Sequence, residues 1–222
     1  MTDTRGRILA RLSASTCATV PQPALPVRRY RWDQVERLER FRRMLEAFHG
    51  EVYEVGRDWP TVLAGRLRDA GVTRLAYGPD GPDADALVAG WPSDGPLLVP
   101  HDAPIETCRD VLFNSTEAGF TSCRAGIAET GSLVLWTSAS EPRLLSLVPP
   151  IHCVLLDAAR IISTLHELMV DEHWRDGLPT NALLISGPSK SADIEQTLAY
   201  GVHGPARLIV LVDTSSCDAG ST

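Results

Sequence analysis

Lysine is all but missing from this chain: of its 21 basic residues only Lys190 is a lysine, and the rest are arginines. Cysteine is sparse and scattered. Cys17, Cys108, Cys123, Cys153 and Cys217 are odd in number, with no pair two to four residues apart. That spacing offers neither the clustered thiolates of an iron–sulfur site nor the close Cys/His pairs of structural zinc. It suits reduced thiols in a cytosol better than a disulfide framework. No apolar run approaches the ~20 residues that span a bilayer. The opening residues, with Asp3, Arg5 and Arg7, lack the apolar stretch of a secretory signal, so a cytoplasmic location is expected. Also missing are a Gly-x-Ser-x-Gly elbow, a Walker loop and a Gly-x-Gly-x-x-Gly turn, which removes the usual hydrolase, NTPase and dinucleotide readings. Net positive charge is confined to the start of the chain. Residues 1–43 hold ten arginines against Asp3, Asp33, Glu36 and Glu39, about +6, whereas the net charge is −7 and the remainder carries about −13. Such an acidic body excludes extended nucleic-acid binding, because each phosphate contact needs a facing cation. The basic stretch 28–43 suits either an acidic partner subunit or a solvated helix face.

What is present reads as one α/β domain, since 222 residues are too few for two full-sized domains. Pro21, Pro23 and Pro26 make Thr16–Pro26 an extended tether. After it, Trp32, Val35, Leu38, Phe41, Leu45 and Phe48 recur at helical spacing, with Asp33 and Glu36 as an N-terminal cap and Gly50 as the stop. Residues 1–50 are therefore read as an N-terminal helical extension and 51–222 as the α/β domain. Helices are expected at Pro60–Ala70 and Asp83–Ala89, alternating with strands at Val72–Tyr77 and Leu97–Val99. Further strands are expected at Gly119–Arg124, Ser132–Thr137, Leu144–Val148 and His152–Leu156. A helix over Ala158–Trp174 follows, and then strand Ala182–Ile185, helix Ala192–Ala199 and strand Arg207–Val212 form a βαβ unit. The expected architecture is an open, mostly parallel sheet flanked by helices. Ligands of such sheets bind beyond the carboxyl ends of the strands, and the loops 186–191 and 201–205 are expected there.

In the first of these loops Gly187 permits close backbone approach, and Ser186, Ser189, Lys190 and Ser191 supply hydroxyls and one cation. That composition reads equally as an anion site and as a capped turn, and Asp193 and Glu195 would repel an anion. His203, between Gly201 and Gly204, is placed to act as acid, base or carboxylate donor near neutral pH, or to be simply exposed. Ala128-Glu129-Thr130-Gly131 suits a hairpin turn with a carboxylate at the sheet edge. His166 and His173, seven apart on one expected helix, are read as surface or packing residues, and His152 has no assigned role.

In order along the chain, Ala128-Glu129-Thr130-Gly131, Leu147-Val148-Pro149 with His152, Ser186-Gly187-Pro188-Ser189 with Asp193-Ile194-Glu195, and Gly201-Val202-His203-Gly204-Pro205 resemble the LUD-domain family, that of lactate utilization protein C, over about residues 60–213. The resemblance implies a fold like the NagB/RpiA/CoA-transferase group. It also implies a role in oxidising L-lactate to pyruvate beside two iron–sulfur proteins. The clusters would then lie in those partners, with no cofactor or metal in this chain. A small carboxylate or nucleotide-like ligand would occupy a cleft built by Thr130, Gly131, Ser186, Gly187, Ser189, Lys190, Ser191, Asp193 and His203. Two other readings stay open. One is a stand-alone CoA-transferase-like enzyme with Glu129 or Glu195 as nucleophile or base and His203 as a further catalytic candidate. The other is a regulatory or scaffolding module docked through its basic arm.

Overall fold

Runs such as Ile151-His152-Cys153-Val154-Leu155-Leu156 and Leu208-Ile209-Val210-Leu211-Val212 are apolar on both strand faces, the pattern of parallel strands covered on each side. The computed structural model describes residues 3–14, 28–102, 105–192 and 198–218. Its elements begin α1 Thr4–Ala14, α2 Gln34–Ala47, β1 Glu51–Val55, α3 Trp59–Asp69, β2 Arg74–Tyr77, α4 Ala84–Ala89, β3 Leu97–Pro100 and α5 Ile105–Asn114. They continue β4 Ala118–Ser122, β5 Ala125–Ile127, β6 Ser132–Trp136, α6 Leu144–Leu147, β7 Ile151–Asp157, a 3-10 turn at Ala158–Arg160, β8 Ile161–Ile162 and α7 Leu165–Asp171. Last come β9 Ala182–Ile185, β10 Lys190–Ala192, β11 Leu198–Tyr200, β12 Arg207–Asp213 and α8 Ser215–Asp218. Among the described residues no helix is long and apolar enough to cross a membrane.

Six strands form the main sheet in the order β1-β12-β7-β4-β2-β3, with every neighbouring pair parallel. One face, with Phe120, Cys153, Leu155, Ile209 and Leu211, packs on Trp59, Leu63 and Leu67 of α3 and Leu87 of α4. The other face, with Val154, Leu156, Val210 and Val212, packs on a second sheet through Leu133 and Leu135 and on Phe41 and Leu45 of α2. That second sheet has the order β8-β5-β6-β9, antiparallel except where β5 meets β8.

The cap expected at Asp33 is present: its carboxylate accepts from Glu36 N at 2.9 Å. Phe41 and Leu45 are both fully buried, so α2 is part of the core. Its basic face meets the chain's own acids, Arg40 with Glu36 at 3.0 Å, Arg42 with Glu54 at 2.6 Å and Arg37 with Glu167 at 3.4 Å. Each such exposed pair contributes little to stability, but together they occupy three of the arginines proposed for docking.

Several expected elements differ. Leu144–Val148 is not a strand but the single helical turn α6. It can lie against β4 because Gly119 has no side chain, and a Cβ there would stand 2.1 Å from Leu145 O. The helix expected over Ala158–Trp174 is broken, because Ile161–Ile162 pair in parallel with Gly126–Ile127. Thr164 then caps a fresh helix by accepting from Glu167 N at 3.1 Å. Both ends of the helix expected over Ala192–Ala199 are strand instead, Lys190–Ala192 pairing antiparallel with Leu198–Tyr200, and residues 193–197 lie outside the described residues. Ser189 N donates to Pro205 O at 2.8 Å and Gly201 N to Ser189 O at 3.0 Å, which bring the two ends side by side. The βαβ unit therefore does not exist. Strand β9 belongs to the second sheet, antiparallel to β6. Strand β1 and helix α5 had no sequence assignment at all.

Candidate functional site

The two loops singled out by sequence do meet. Bonded to each other through Ser189, Pro205 and Gly201, they close a cavity of about 220 Å³ whose wall includes Ser186, Ser189 and His203 together with Ser146, Leu147 and His152. The cavity does not sit at the carboxyl ends of the parallel strands as expected. His152 and Leu208, which line it, are the second residues of β7 and β12, so it lies at the amino ends. The loop 186–189 follows β9 rather than a strand of the main sheet, and that displacement carries it to the opposite edge.

At the bottom is His152, 1% exposed. Its Nε2 stands 2.9 Å from Thr121 Oγ1, and its Nδ1 has no hydrogen-bond partner among the described residues. Burial pushes the ring down to about 3, so at neutral pH it is uncharged. Neither Thr121 nor His152 had been given a role. The available signal was a polar side chain inside strands otherwise apolar on both faces, since a buried polar group needs a partner or a purpose.

The other predicted residues divide. Thr130 Oγ1, Ser132 Oγ and Ser186 Oγ form a chain with both steps 2.7 Å, joining the β5–β6 turn to the cavity loop. Gly131 has φ +65°, and a Cβ there would lie 2.5 Å from Leu45 N. Its role is to let the turn press on α2, since neither it nor Thr130 is in the cavity wall. Gly131→Ala is expected to cost about 1–2 kcal/mol for the left-handed backbone alone, and more for the clash, read as a lowered urea midpoint. Glu129 is outside the wall too, and its Oε1 accepts from Tyr30 at 3.0 Å and from Arg28 at 3.4 Å. Lys190 is exposed and not part of the wall. Ser191 is described only by its place in β10, paired with Ala199, and Asp193 and Glu195 lie outside the described residues.

A second, larger hollow of about 730 Å³ occupies the place the sequence argument favoured. Strand β4 ends at Ser122 and β2 lies beside it, and there the strand order reverses, the usual ligand crevice of an open sheet. Its chemistry is acidic. Glu141, 8% exposed, accepts from Ser122 N at 3.1 Å and Ser122 Oγ at 2.9 Å, and burial raises its carboxyl above the ordinary range. Asp83 is likewise raised by burial, against the lowering effect of a hydrogen bond from Ser122. Two arginines, Arg124 and Arg160, both converge on Glu172. Desolvation raises the Glu172 carboxyl, but bonds from Trp174 and Arg124 outweigh it and hold it low. Burial pushes the thiols of Cys123, in this hollow, and Cys153, in the core, up to about 12, so both remain protonated and are poor nucleophiles. Its two arginines share the Glu172 carboxylate, and the buried carboxyls of Asp83 and Glu141 stand in the same wall. Among the described residues, no carboxylate lines the loop cavity.

A parallel six-stranded sheet with helices on one face and a small mixed sheet on the other, closed at its amino end by two loops over a cavity lined by both apolar and polar side chains, defines the class of protein. The LUD domain family model matches residues 38–212, and the chain belongs to that family. An uncharacterized protein of Neisseria meningitidis serogroup B is 35% identical over 93% of this chain and 92% of its own length. Lactate utilization protein C of Deinococcus radiodurans is 30% identical over 76% of this chain and 79% of its own. Among solved structures, the crystal structure of a DUF162 family protein from Deinococcus radiodurans has the same fold, with a TM-score of 0.60 at 24% identity, covering 82% of this chain and 99% of that one.

Proposed function

We propose that the chain serves in L-lactate utilization, as a subunit acting beside two iron–sulfur proteins in the oxidation of lactate to pyruvate, and that it binds a small carboxylate in the loop cavity. The clusters and the electron transfer belong to the partner chains. The observation that carries the ligand reading is the cavity itself, closed by the two loops that sequence alone had singled out. Its wall offers hydroxyls and imidazoles and, among the described residues, no carboxylate. The relatives named lactate utilization protein C support the pathway. At about 220 Å³ the cavity lies below the ~300–1,000 Å³ range of drug-sized ligands, which favours an acid the size of lactate or pyruvate over a nucleotide or coenzyme A.

A thermal-shift comparison of L-lactate, pyruvate, coenzyme A and nucleotides tests this. A ligand at ~100 times its Kd stabilises by ~2.7 kcal/mol, and the shift is expected with lactate or pyruvate. Ser189→Leu, which fills the cavity, and His203→Ala should remove or reduce it, whereas Lys190→Ala should leave it intact. A shift seen only with coenzyme A or nucleotides, and surviving Ser189→Leu, would move the site elsewhere.

A further inference from the structure

The cavity contains one feature that packing does not account for. A strand buried on both faces gains most from apolar side chains, yet β7 carries His152 there, with Nδ1 left without a partner among the described residues. A buried polar atom left without a partner is unfavourable. His152 is among the residues lining a cavity large enough to admit a partner, although Nδ1 itself exposes almost no surface.

The groups around it narrow what that partner is. Thr121 on β4 engages Nε2. Helix α6 contributes Ser146 and Leu147, the loop after β9 contributes Ser186 and Ser189, and β12 contributes Leu208. The loop before β12 contributes His203, the other titratable side chain of the wall, and no Asp, Glu, Lys or Arg among the described residues lines the cavity. A carboxylate entering such a wall would give up part of its hydration with no cation among the described residues to meet it, which costs free energy. A cation generated at His152 supplies the missing charge, and it forms only when an anion is present, because burial keeps the empty ring neutral.

Building on the reading of this cavity as a small-acid site, we propose that it takes a monocarboxylate together with one proton, which His152 holds as an imidazolium between Thr121 and the ligand. Nε2–H donates to Thr121 Oγ1 and Nδ1–H donates to a carboxylate oxygen. The proton comes from solvent with the ligand and returns with it, and no covalent bond to the ligand forms or breaks. The cavity thereby selects singly charged small acids over di- and trianions, for which one imidazolium is too little charge.

The test is calorimetric titration of the full chain with sodium pyruvate and sodium L-lactate between about pH 5 and pH 6.5, in two buffers of different ionisation enthalpy. Both acids are ionised over this range, so any proton taken up goes to the protein. Kd is expected to weaken about tenfold per pH unit, with close to one proton taken up per ligand bound. His152→Gln should bind at least tenfold more weakly and lose the pH dependence. His203→Gln should keep it, which separates the buried ring from the exposed one. If His152→Gln does not fold, the proton count on the unaltered chain decides. Affinity independent of pH, with no proton uptake but abolished by Ser189→Leu, overturns the proton coupling and leaves the cavity reading standing. Failure of both acids to bind at any pH, or binding that Ser189→Leu does not touch, overturns both.

Discussion

Phe41→Ala is expected to lower the stability of the chain by about 3–5 kcal/mol, a large part of the roughly 5–15 kcal/mol that holds a domain together. The ring is fully buried among Val154, Leu156 and Val210 of the main sheet and Leu133 of the second. It lies so close to β5 that a Cβ on Gly126 would sit 3.1 Å from it. The cavity left behind adds to the lost transfer energy. Urea unfolding should show a lower midpoint with an unchanged slope. Removing residues 1–50 takes away Leu45 as well, and the truncated chain should show no cooperative transition. Removing residues 1–14 should cost little, because α1 buries no residue. If instead the chain lacking residues 1–50 unfolds cooperatively near the midpoint of the full chain, α2 is an appendage and the packing account fails.

Acid should weaken this protein through His152. In the unfolded chain the ring titrates near 6.5, and burial pushes it down to about 3 in the fold. Its contribution is therefore fully present above pH 6.5 and is lost as pH falls towards about 3, by about 1.4 kcal/mol per pH unit and about 5 kcal/mol in all. Burial raises Asp83 and Glu141 instead, so they stabilise at low pH and lose that contribution as pH rises through their folded values. Their effect opposes that of His152 on acidification. Comparing His152→Gln with the unaltered chain cancels the carboxyls and leaves the histidine. Between pH 7 and about pH 4.5 the unaltered chain should lose about 3 kcal/mol more than the variant, measured by urea unfolding at each pH. Equal losses would assign the acid sensitivity to other groups.

How much of this could be read in advance varied with how local the cause was. The cap at Asp33, the apolar stripe of α2, the runs of β7 and β12 and the Gly131 turn each follow from neighbouring residues, and each is present. Leu144–Leu147 reads as strand by composition and folds as helix because Gly119, 25 residues away, opens room for it. Strand β9 was found but assigned to the wrong sheet, since its four residues carry no mark of which neighbour they will pair with. The same error put the 186–189 loop at the wrong end of the main sheet.

By itself, then, the sequence determined the family, the α/β class and the two loops, because turn chemistry, hydrophobic period and ordered motifs are properties of adjacent residues. Only the tertiary structure decided that these loops close over the amino ends of β7 and β12, that Glu129 and Lys190 stand outside their cavity, and that His152 stands within it. Those outcomes depend on strand pairing and on which side chains lose water together, and both are set by contacts between residues far apart along the chain.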